Sequence, residues 1–213
     1  MDQNSLSVDE FRFLDKKAVS LGLSERILIE NASSNLFSII DELNFGKKVL
    51  VVSGRGNNGA DVLACGRKLI SRGYQVQVLI IAEKELASEA FFQKQILEQL
   101  SIPVSTDSKE LISFLNEADF VLEGLLGIGI RGEVPSFLEE VINTINQSGK
   151  KIVACDIPSG LSPDDGRICG AAIKADVTIS FLAPKKAFST QEGKLLCGKI
   201  FIVDIGISKE LLS

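Results

Sequence analysis

The sequence predicts an α/β fold with a mostly parallel central sheet that is covered by helices on both faces. From about residue 47 onward, short apolar segments of strand length alternate with longer segments that have helical periodicity. The predicted strands are apolar throughout, which is typical of parallel sheets buried on both sides. A chain of 213 residues with no internal repeat or linker fits one domain with a large core, so we expect a single domain over residues 1–213.

Two helices are predicted before the first strand. Ser7, with Glu10 three residues later, forms a capping-box pattern at the start of the first helix, and Ser24 is a candidate N-cap of the second. Apolar residues recur at helical spacing in both segments, so one face of each helix should be buried. The residues expected to face inward are Val8, Phe11, Leu14, Val19, Ile27, Ile29, Leu36, Ile39 and Ile40.

Strands and helices then alternate to the end of the chain. The predicted strands are 47–53, 75–81, 102–106, 119–125, 150–157, 175–182 and 199–206. The predicted helices between them are 60–72, 85–100, 107–116 and 135–148. No convincing helix is predicted between the last two strands.

Composition excludes several classes of function. The net charge of −5 gives a nucleic-acid surface little positive charge to use, so no nucleic-acid partner is expected. No apolar run approaches the roughly 20 residues that a membrane span needs, and the acidic, polar N-terminus is unlike a secretory signal. None of the four cysteines lies in a C-x-x-C pair, which favours buried, reduced thiols over a zinc site. We expect a cytoplasmic protein with no membrane contact.

Histidine is absent, which removes histidine-based triads and histidine-ligated metals. Acid–base chemistry must then come from Asp, Glu, Lys, Cys or the single Tyr74. Carboxyl groups and lysines can serve only where the fold moves their pKa toward neutrality.

Four loops follow predicted strands and mix glycine or proline with polar side chains. Ligands of open parallel sheets bind beyond the carboxyl ends of the strands, so these loops should surround the functional site. The loops are 53–61, 123–133, 156–166 and 183–190.

The first loop contains Gly54-x-Gly56-x-x-Gly59 directly before a predicted helix. Glycines let backbone N–H groups approach a ligand, and the helix start offers unpaired N–H groups, so the loop resembles a phosphate cradle. The alternative is a tight turn without a ligand. Asn57 and Asn58 are either helix caps or ligands that point carbonyl oxygens at a substrate or a cation.

The other loops carry further candidate groups, each with a less specific alternative. Arg131 could pair with phosphate or be a solvated arginine in a flexible turn. Asp156, at a strand end, suits a general base but would also serve as a cap. Lys185 and Lys186 could contact phosphate or act as an acid, or be solvated.

Glu123 ends a strongly apolar strand, where a carboxylate is costly unless it is paired or bound to a cation. With Asn58 and Ser159 it forms an all-oxygen set, which suits a hard cation.

Six motifs together resemble the YjeF N-terminal domain family, the NAD(P)H-hydrate epimerases. In chain order they are LIENAS (28–33), GRGNNGADVL (54–63), EGLLGIGIRG (123–132), DIPSGL (156–161), APKKA (183–187) and GKIFIVDIGIS (198–208). The resemblance covers the chain from about residue 7 to 208.

The resemblance implies a three-layer α/β/α sandwich of Rossmann-like type, usually a homodimer. It implies an isomerase that interconverts the R and S hydrates of NADH and NADPH (NADHX and NADPHX). A separate NAD(P)H-hydrate dehydratase, specific for the S form, then regenerates the cofactor and is the expected functional partner. The family also binds a potassium ion, so one K⁺ per subunit is expected.

The resemblance also assigns roles to residues by position. The catalytic group is Asp156, with Lys185 as a second proton-transfer or phosphate group. The potassium ligands are Asn58, Glu123 and Ser159. The residues assigned to the hydrated cofactor are Asn57, Asn58, Gly59, Ala60, Asp61, Gly127, Ile128, Gly129, Ile130, Arg131, Gly132, Glu133 and Asp156.

Some residues depart from the family pattern. Ala60 and Val62 stand where the family usually has glycine, which alters the loop if a positive φ is needed there and is harmless if both lie inside the helix. Glu123 replaces an aspartate, and Ser33 and Ala187 replace glycines.

A non-catalytic dimeric scaffold on the same fold is the alternative function. A conventional NAD dehydrogenase fits less well, because no acidic ribose ligand is evident about 20 residues past the glycine loop.

Overall fold

The computed structural model describes residues 5–212 and confirms the predicted α/β fold. Within these residues seven strands form one sheet in the order β3-β2-β1-β4-β5-β6-β7, and every neighbouring pair is parallel. This is the strand order of a Rossmann-like sheet with one strand added. The strands are β1 Lys48–Ser53, β2 Gln75–Ile80, β3 Val104–Ser105, β4 Phe120–Gly124, β5 Lys151–Cys155, β6 Val177–Phe181 and β7 Lys199–Val203.

Helices cover both faces of the sheet. They are α1 Val8–Ser20, α2 Glu25–Leu43, α3 Asn57–Ile70, α4 Ser88–Gln99, α5 Leu111–Glu117, α6 Ser136–Gln147 and α7 Gln191–Leu196. Alternate residues of β1 point to opposite sides, because side chains alternate along a strand. Val49 and Val51 pack with α1 to α4 in one core, and Leu50 and Val52 pack with α5 and α6 in the other. The apolar strands predicted from the sequence are therefore buried from two sides.

The N-terminal helices begin as predicted. The Ser7 and Glu10 side chains each accept a hydrogen bond from the other residue's backbone N–H, which completes the capping box, and Ser24 accepts one from Ile27 N. The predicted inward faces need two corrections: Val19 and Ile27 are 46% and 43% exposed. The buried stripes run instead through Ala18 and Leu28, one position away, because the cores take a narrower face of each helix.

Three further boundaries differ from the prediction. The expectation of no helix between the last two strands is wrong, because α7 lies there after a 3₁₀ turn at Lys186–Ser189. This helix is short and polar at its start, and it is held by the Thr190 cap, so it has little apolar periodicity to detect. The third helix begins at Asn57, earlier than the predicted residue 60, and β3 has only two residues.

Two expectations from composition agree with the structure. All four cysteines are buried and unpaired. Among the described residues, no helix has the length and apolar character needed to cross a membrane.

Candidate active site

A cavity of about 420 Å³ opens at the carboxyl ends of β1, β4 and β5. It lies where neighbouring strands β1 and β4 lead their connections to opposite sides of the sheet, which is the usual ligand position in such folds. Helix α1 contributes to its wall, and the loops after β1 and β4 supply most of the rest. The lining residues are Arg12, Asp15, Arg55, Gly56, Asn57, Asn58, Leu125, Leu126, Gly127, Ile128, Gly129, Ile130 and Asp156.

The glycines of the first loop have different roles. A Cβ on Gly54 would lie 1.8 Å from the Leu125 carbonyl oxygen, and one on Gly59 would lie 2.1 Å from the Gly54 carbonyl oxygen. Gly54 is therefore required where the loops after β1 and β4 meet, and Gly59 is required where the first turn of α3 packs against the end of β1 and the residue after it. Gly56 has open space around its Cα and lines the cavity.

The start of α3 faces this cavity without a side-chain cap. Gly56 is the N-cap and offers no side-chain hydrogen bond to the first turn. The first N–H groups of a helix have no partner within the helix, and the helix dipole is positive at this end. The first turn of α3 can therefore hold an anionic group that enters the cavity.

Ala60 and Val62 lie inside α3, and neither has a positive φ. Both are fully buried: Ala60 packs with Ile29, Ala64 and Ala90, and Val62 belongs to the larger core. The sequence left open whether these two residues alter the loop or lie harmlessly inside the helix. Both lie inside the helix, so neither strains the backbone of the loop.

Asp156 follows β5 and projects its carboxyl group toward the cavity. Its backbone is left-handed, with φ +64°, a conformation that aspartate tolerates better than most residues. Its Oδ1 accepts a hydrogen bond from Phe181 N at 3.1 Å and another from Lys185 Nζ. The carboxyl group is thus held in one orientation by the loop that follows β6.

Lys185 is buried behind Asp156 and is only 1% exposed. Besides Asp156, its Nζ donates to Ser180 Oγ at 2.9 Å and to the Phe181 carbonyl oxygen at 3.3 Å. It also lies 4.4 Å from the centre of the Phe11 ring on α1. Lys185 does not line the cavity, so it reaches a bound molecule only through Asp156.

Two more carboxyl groups lie near this ion pair. Asp61, on α3, is buried, and this burial raises its pKa well above the usual range, with further contributions from the Asp156 and Asp15 charges. Asp15, on α1, reaches the cavity, where partial burial and then the Asp156 charge raise its pKa to about 6. A smaller cavity of about 110 Å³ adjoins the first, because Asp15 and Asn57 line both, and Asp61 lines only the smaller one.

The three proposed cation ligands are linked through Leu126. The Asn58 Nδ2 group donates to the Leu126 carbonyl oxygen at 2.8 Å, and Ser159 Oγ lies 3.1 Å from the same oxygen. Ser159 also donates to both oxygens of Glu123, from Oγ at 2.6 Å and from its backbone N at 3.0 Å. Burial raises the pKa of Glu123 to about 7, against the lowering effect of these hydrogen bonds and one from Leu125.

Asn58 leaves one buried oxygen without a partner among the described residues. Its Nδ2 donates to the Leu126 carbonyl oxygen, and no hydrogen-bond donor of the described residues reaches Oδ1. A buried oxygen without a donor is costly unless something else binds it. The nearby groups are a carboxylate, a hydroxyl and a backbone carbonyl, which are ligands that a hard cation prefers. The residues present therefore fit a cation such as potassium.

The remaining predicted site residues are not all at the cavity. Gly127 to Ile130 line it, whereas Arg131, Gly132 and Glu133 do not, and Glu133 forms an ion pair with Arg167 at 2.6 Å. Gly59 and Ala60 are buried within the first turn of α3 and do not line the cavity.

Three charged lining residues were not singled out from the sequence: Arg12, Asp15 and Arg55. A cation inside a phosphate-type loop is a signal that could have identified Arg55. Nothing in the sequence separates Arg12 and Asp15 from the other charged residues of α1.

Comparison with known proteins matches most of the chain. A family model described as YjeF-related protein N-terminus matches residues 25–187. The chain is 32% identical to an NAD(P)H-hydrate epimerase of Limosilactobacillus fermentum over 96% of this chain and 98% of that one. It is 34% identical to another of Elusimicrobium minutum, with 98% of each covered. It is 30% identical to the bifunctional NAD(P)H-hydrate repair enzyme Nnr of Coxiella burnetii, of which 41% is covered.

The fold also matches a solved structure. The crystal structure of the yeast protein ynu0 superposes with a TM-score of 0.81 at 21% sequence identity, over 94% of this chain and 87% of the yeast chain. At this identity the match supports the fold alone.

Proposed function

Because the chain belongs to the family of YjeF-related N-terminal domains, we propose that it is an NAD(P)H-hydrate epimerase. It is an isomerase that interconverts the R and S forms of hydrated NADH and NADPH. The relatives that carry this name match along nearly their whole length, so the activity does not have to be assigned from a fragment. The reaction is a repair step, because the S form is what an S-specific dehydratase converts back to the reduced cofactor.

The observation that carries this proposal is the single cavity that joins the open start of α3 to the Asp156 carboxyl group. The substrate is a dinucleotide, so it has a pyrophosphate and a reactive nicotinamide ring. The pyrophosphate binds the first turn of α3, and the Arg12 and Arg55 side chains add positive charge on the cavity wall. The hydrated ring then reaches Asp156.

Asp156 transfers the proton in this scheme. A carboxyl group that faces the ring can accept a proton from the substrate or donate one to it. Lys185 and the Phe181 N–H hold the carboxyl group from behind, so its orientation does not depend on the substrate. Lys185 therefore acts by fixing Asp156 instead of touching the ring.

One potassium ion per subunit is part of the same proposal. The unpartnered Asn58 Oδ1 and the adjacent Glu123 and Ser159 oxygens support it. A bound cation would satisfy that oxygen, offset the buried Glu123 charge and add positive charge near the phosphates of the substrate.

The proposed setting follows the relatives. The bifunctional relative is named as a repair enzyme and is more than twice as long as the matched region, which supports a functional link to an NAD(P)H-hydrate dehydratase. We also propose a homodimer in the cytoplasm, as the family resemblance implies.

The function is tested by coupling the purified protein to an S-specific dehydratase. Separated R-NADHX is supplied as substrate, and recovery of NADH is followed with and without the protein. We expect recovery much faster than spontaneous epimerisation permits. Recovery at the spontaneous rate would refute the enzyme assignment and favour a non-catalytic scaffold.

The matched control is Asp156→Asn. Asparagine tolerates the same left-handed backbone and keeps the size of the side chain, but it cannot transfer the proton. We expect a loss of at least about 100-fold in kcat. Full activity in this variant would contradict the role of Asp156 and leave the epimerase assignment intact.

A further inference from the structure

Asp15 is a carboxyl group in the cavity that the scheme above leaves without a role. It lies on α1, and Asp156 lies at the end of β5, so the two carboxyl groups enter the same cavity from different elements. The Leu6 N–H donates to the Pro184 carbonyl oxygen at 3.0 Å, and Val8 N donates to Asp164 at 2.9 Å. The start of α1 is therefore fixed to the loops that follow the sheet.

We propose that Asp15 is a second catalytic residue, which transfers a proton on one face of the hydrated ring while Asp156 does so on the other. The proposal rests on the epimerase function. It adds a group that neither the family resemblance nor the relatives assign.

The chemistry requires two groups. The R and S hydrates differ at a ring carbon that carries a hydroxyl and adjoins the ring nitrogen. An acid protonates the hydroxyl, the C–O bond breaks, water leaves, and the nitrogen lone pair forms a C=N bond. Water then adds to the opposite face, its oxygen forms the new C–O bond, the C=N electrons return to nitrogen, and a base takes the released proton. A donor on one face cannot also be the acceptor on the other, and the roles exchange in the reverse reaction.

The surroundings make the two carboxyl groups complementary. Asp156 Oδ1 accepts a hydrogen bond from the ammonium group of the buried Lys185. The charged groups that act on Asp15 are Asp156, Lys185 and Glu25, with Asp61 close behind it and Arg12 on the same cavity wall. Partial burial and then the negative charges, led by Asp156, raise the pKa of Asp15 to about 6. The two carboxyl groups of this cavity therefore have unlike surroundings, because one is paired with an ammonium group and the other lies among carboxyl groups.

The other nearby carboxyl groups do not fit this role. Asp61 is buried and lines only the smaller cavity. Glu25, at the start of α2, also lines only the smaller cavity. Among the carboxyl groups that line the larger cavity, Asp15 and Asp156 are the two that a substrate ring there would contact.

The test compares Asp15→Asn with wild type in the coupled assay with R-NADHX. Asp15 lines the cavity and is not one of the buried residues, so the variant should fold, which a thermal melt verifies. We expect kcat to fall about 100-fold or more while KM changes only a few-fold, because binding is kept and proton transfer is lost. Glu42→Gln is the matched control, an exposed carboxyl group on α2 that lines neither cavity, and it should keep wild-type kcat.

A pH profile separates catalysis from a structural role. The form of Asp15 that starts the R-to-S reaction is the protonated acid, so wild-type kcat should decrease as pH rises through about 6. Asp15→Asn should lack this decrease, and Asp15→Glu should restore part of the rate with the decrease at a shifted pH. The wild-type profile alone provides a second reading if Asp15→Asn does not fold.

Three outcomes would overturn the inference. The first is a wild-type pH profile in which kcat does not decrease near pH 6. The second is an Asp15→Asn variant with wild-type kcat. The third is an Asp15→Asn variant in which only KM rises, which would make Asp15 a binding residue. If the proposed function itself is wrong, the wild-type protein shows no epimerisation in the same assay. That result differs from all three outcomes above, so the two failures can be told apart.

Discussion

Single residues at this site have protonation states that depend on the tertiary structure. Asp61 is the clearest case, since it is a buried carboxyl group that forms no ion pair with any residue in the part of the chain that the structure describes. Burial, and then the Asp156 and Asp15 charges, raise its pKa, and the more distant Lys185 lowers it only partly. In the folded protein the neutral form of Asp61 is therefore favoured over a wide pH range.

The raised pKa of Asp61 makes the free energy of unfolding depend on pH. A carboxyl group with a raised folded-state pKa binds protons more tightly in the folded state than in the unfolded state. Its favourable contribution is present below the unfolded pKa of about 3.9 and is lost as pH rises through the folded pKa. We expect Asp61→Asn to raise the free energy of unfolding at neutral pH and to change it little at pH 4. Urea denaturation at both pH values measures this. Equal effects at the two values would contradict the raised pKa.

The sequence can place a residue near the site when its chemical type and its position at a strand end are sufficient evidence. Asp156 was identified as a carboxyl group at a strand end, and the structure places it in the cavity. That Lys185 is buried and bonded to it could not be predicted, because the two residues are 29 positions apart and a lysine after a proline is usually solvated. The approach of Asp15 was equally hidden, since it depends on how α1 lies over the sheet.

Helix α3 and the turn before it are the element on which the site depends. The turn brings the backbones after β1 and β4 into contact at Gly54, and Gly59 lets the first turn of α3 pack against the end of β1. Ala60 and Val62, which looked like a disruption of the loop, fill the core from inside the helix. The helix boundary decided between the two interpretations, and boundaries are what a sequence defines least well.

Two substitutions in α3 test the packing role. Gly59→Ala puts a Cβ 2.1 Å from a backbone carbonyl, so the turn must move, and we expect a loss of roughly 3 kcal/mol in the free energy of unfolding. Gly66→Ala, in the same helix, meets first a valine methyl at 3.3 Å, and alanine is the better helix former. It should remain within about 1 kcal/mol of wild type in urea denaturation. Similar losses in the two variants would contradict the assignment.

At the level of the whole molecule, the parallel sheet gathers distant loops at one edge. The proposed potassium ligands Asn58, Glu123 and Ser159 lie at, or just after, the carboxyl ends of three neighbouring strands, β1, β4 and β5. A cation bound there would tie these loops together, so its binding should stabilise the entire fold.

Thermal melts in potassium test this binding. At matched ionic strength we expect a higher Tm in potassium chloride than in lithium chloride. At 100 times Kd the stabilisation would be about 2.7 kcal/mol. Asn58→Ala should abolish the difference, whereas Asn57→Ala, one residue earlier and exposed, should keep it. An unchanged difference in Asn58→Ala would exclude Asn58 as a ligand.

The sequence by itself determined the fold class, the strands and the loops around the site, because apolar periodicity and glycine placement are local properties. It did not reveal α7, whose six residues depend on a cap and on contacts instead of periodicity. Only the tertiary structure decided that Lys185 lies behind Asp156, that Asp15 shares its cavity and that Asn58 keeps an oxygen without a partner. These are distances between segments far apart in the chain, and packing of the sheet and helices sets them.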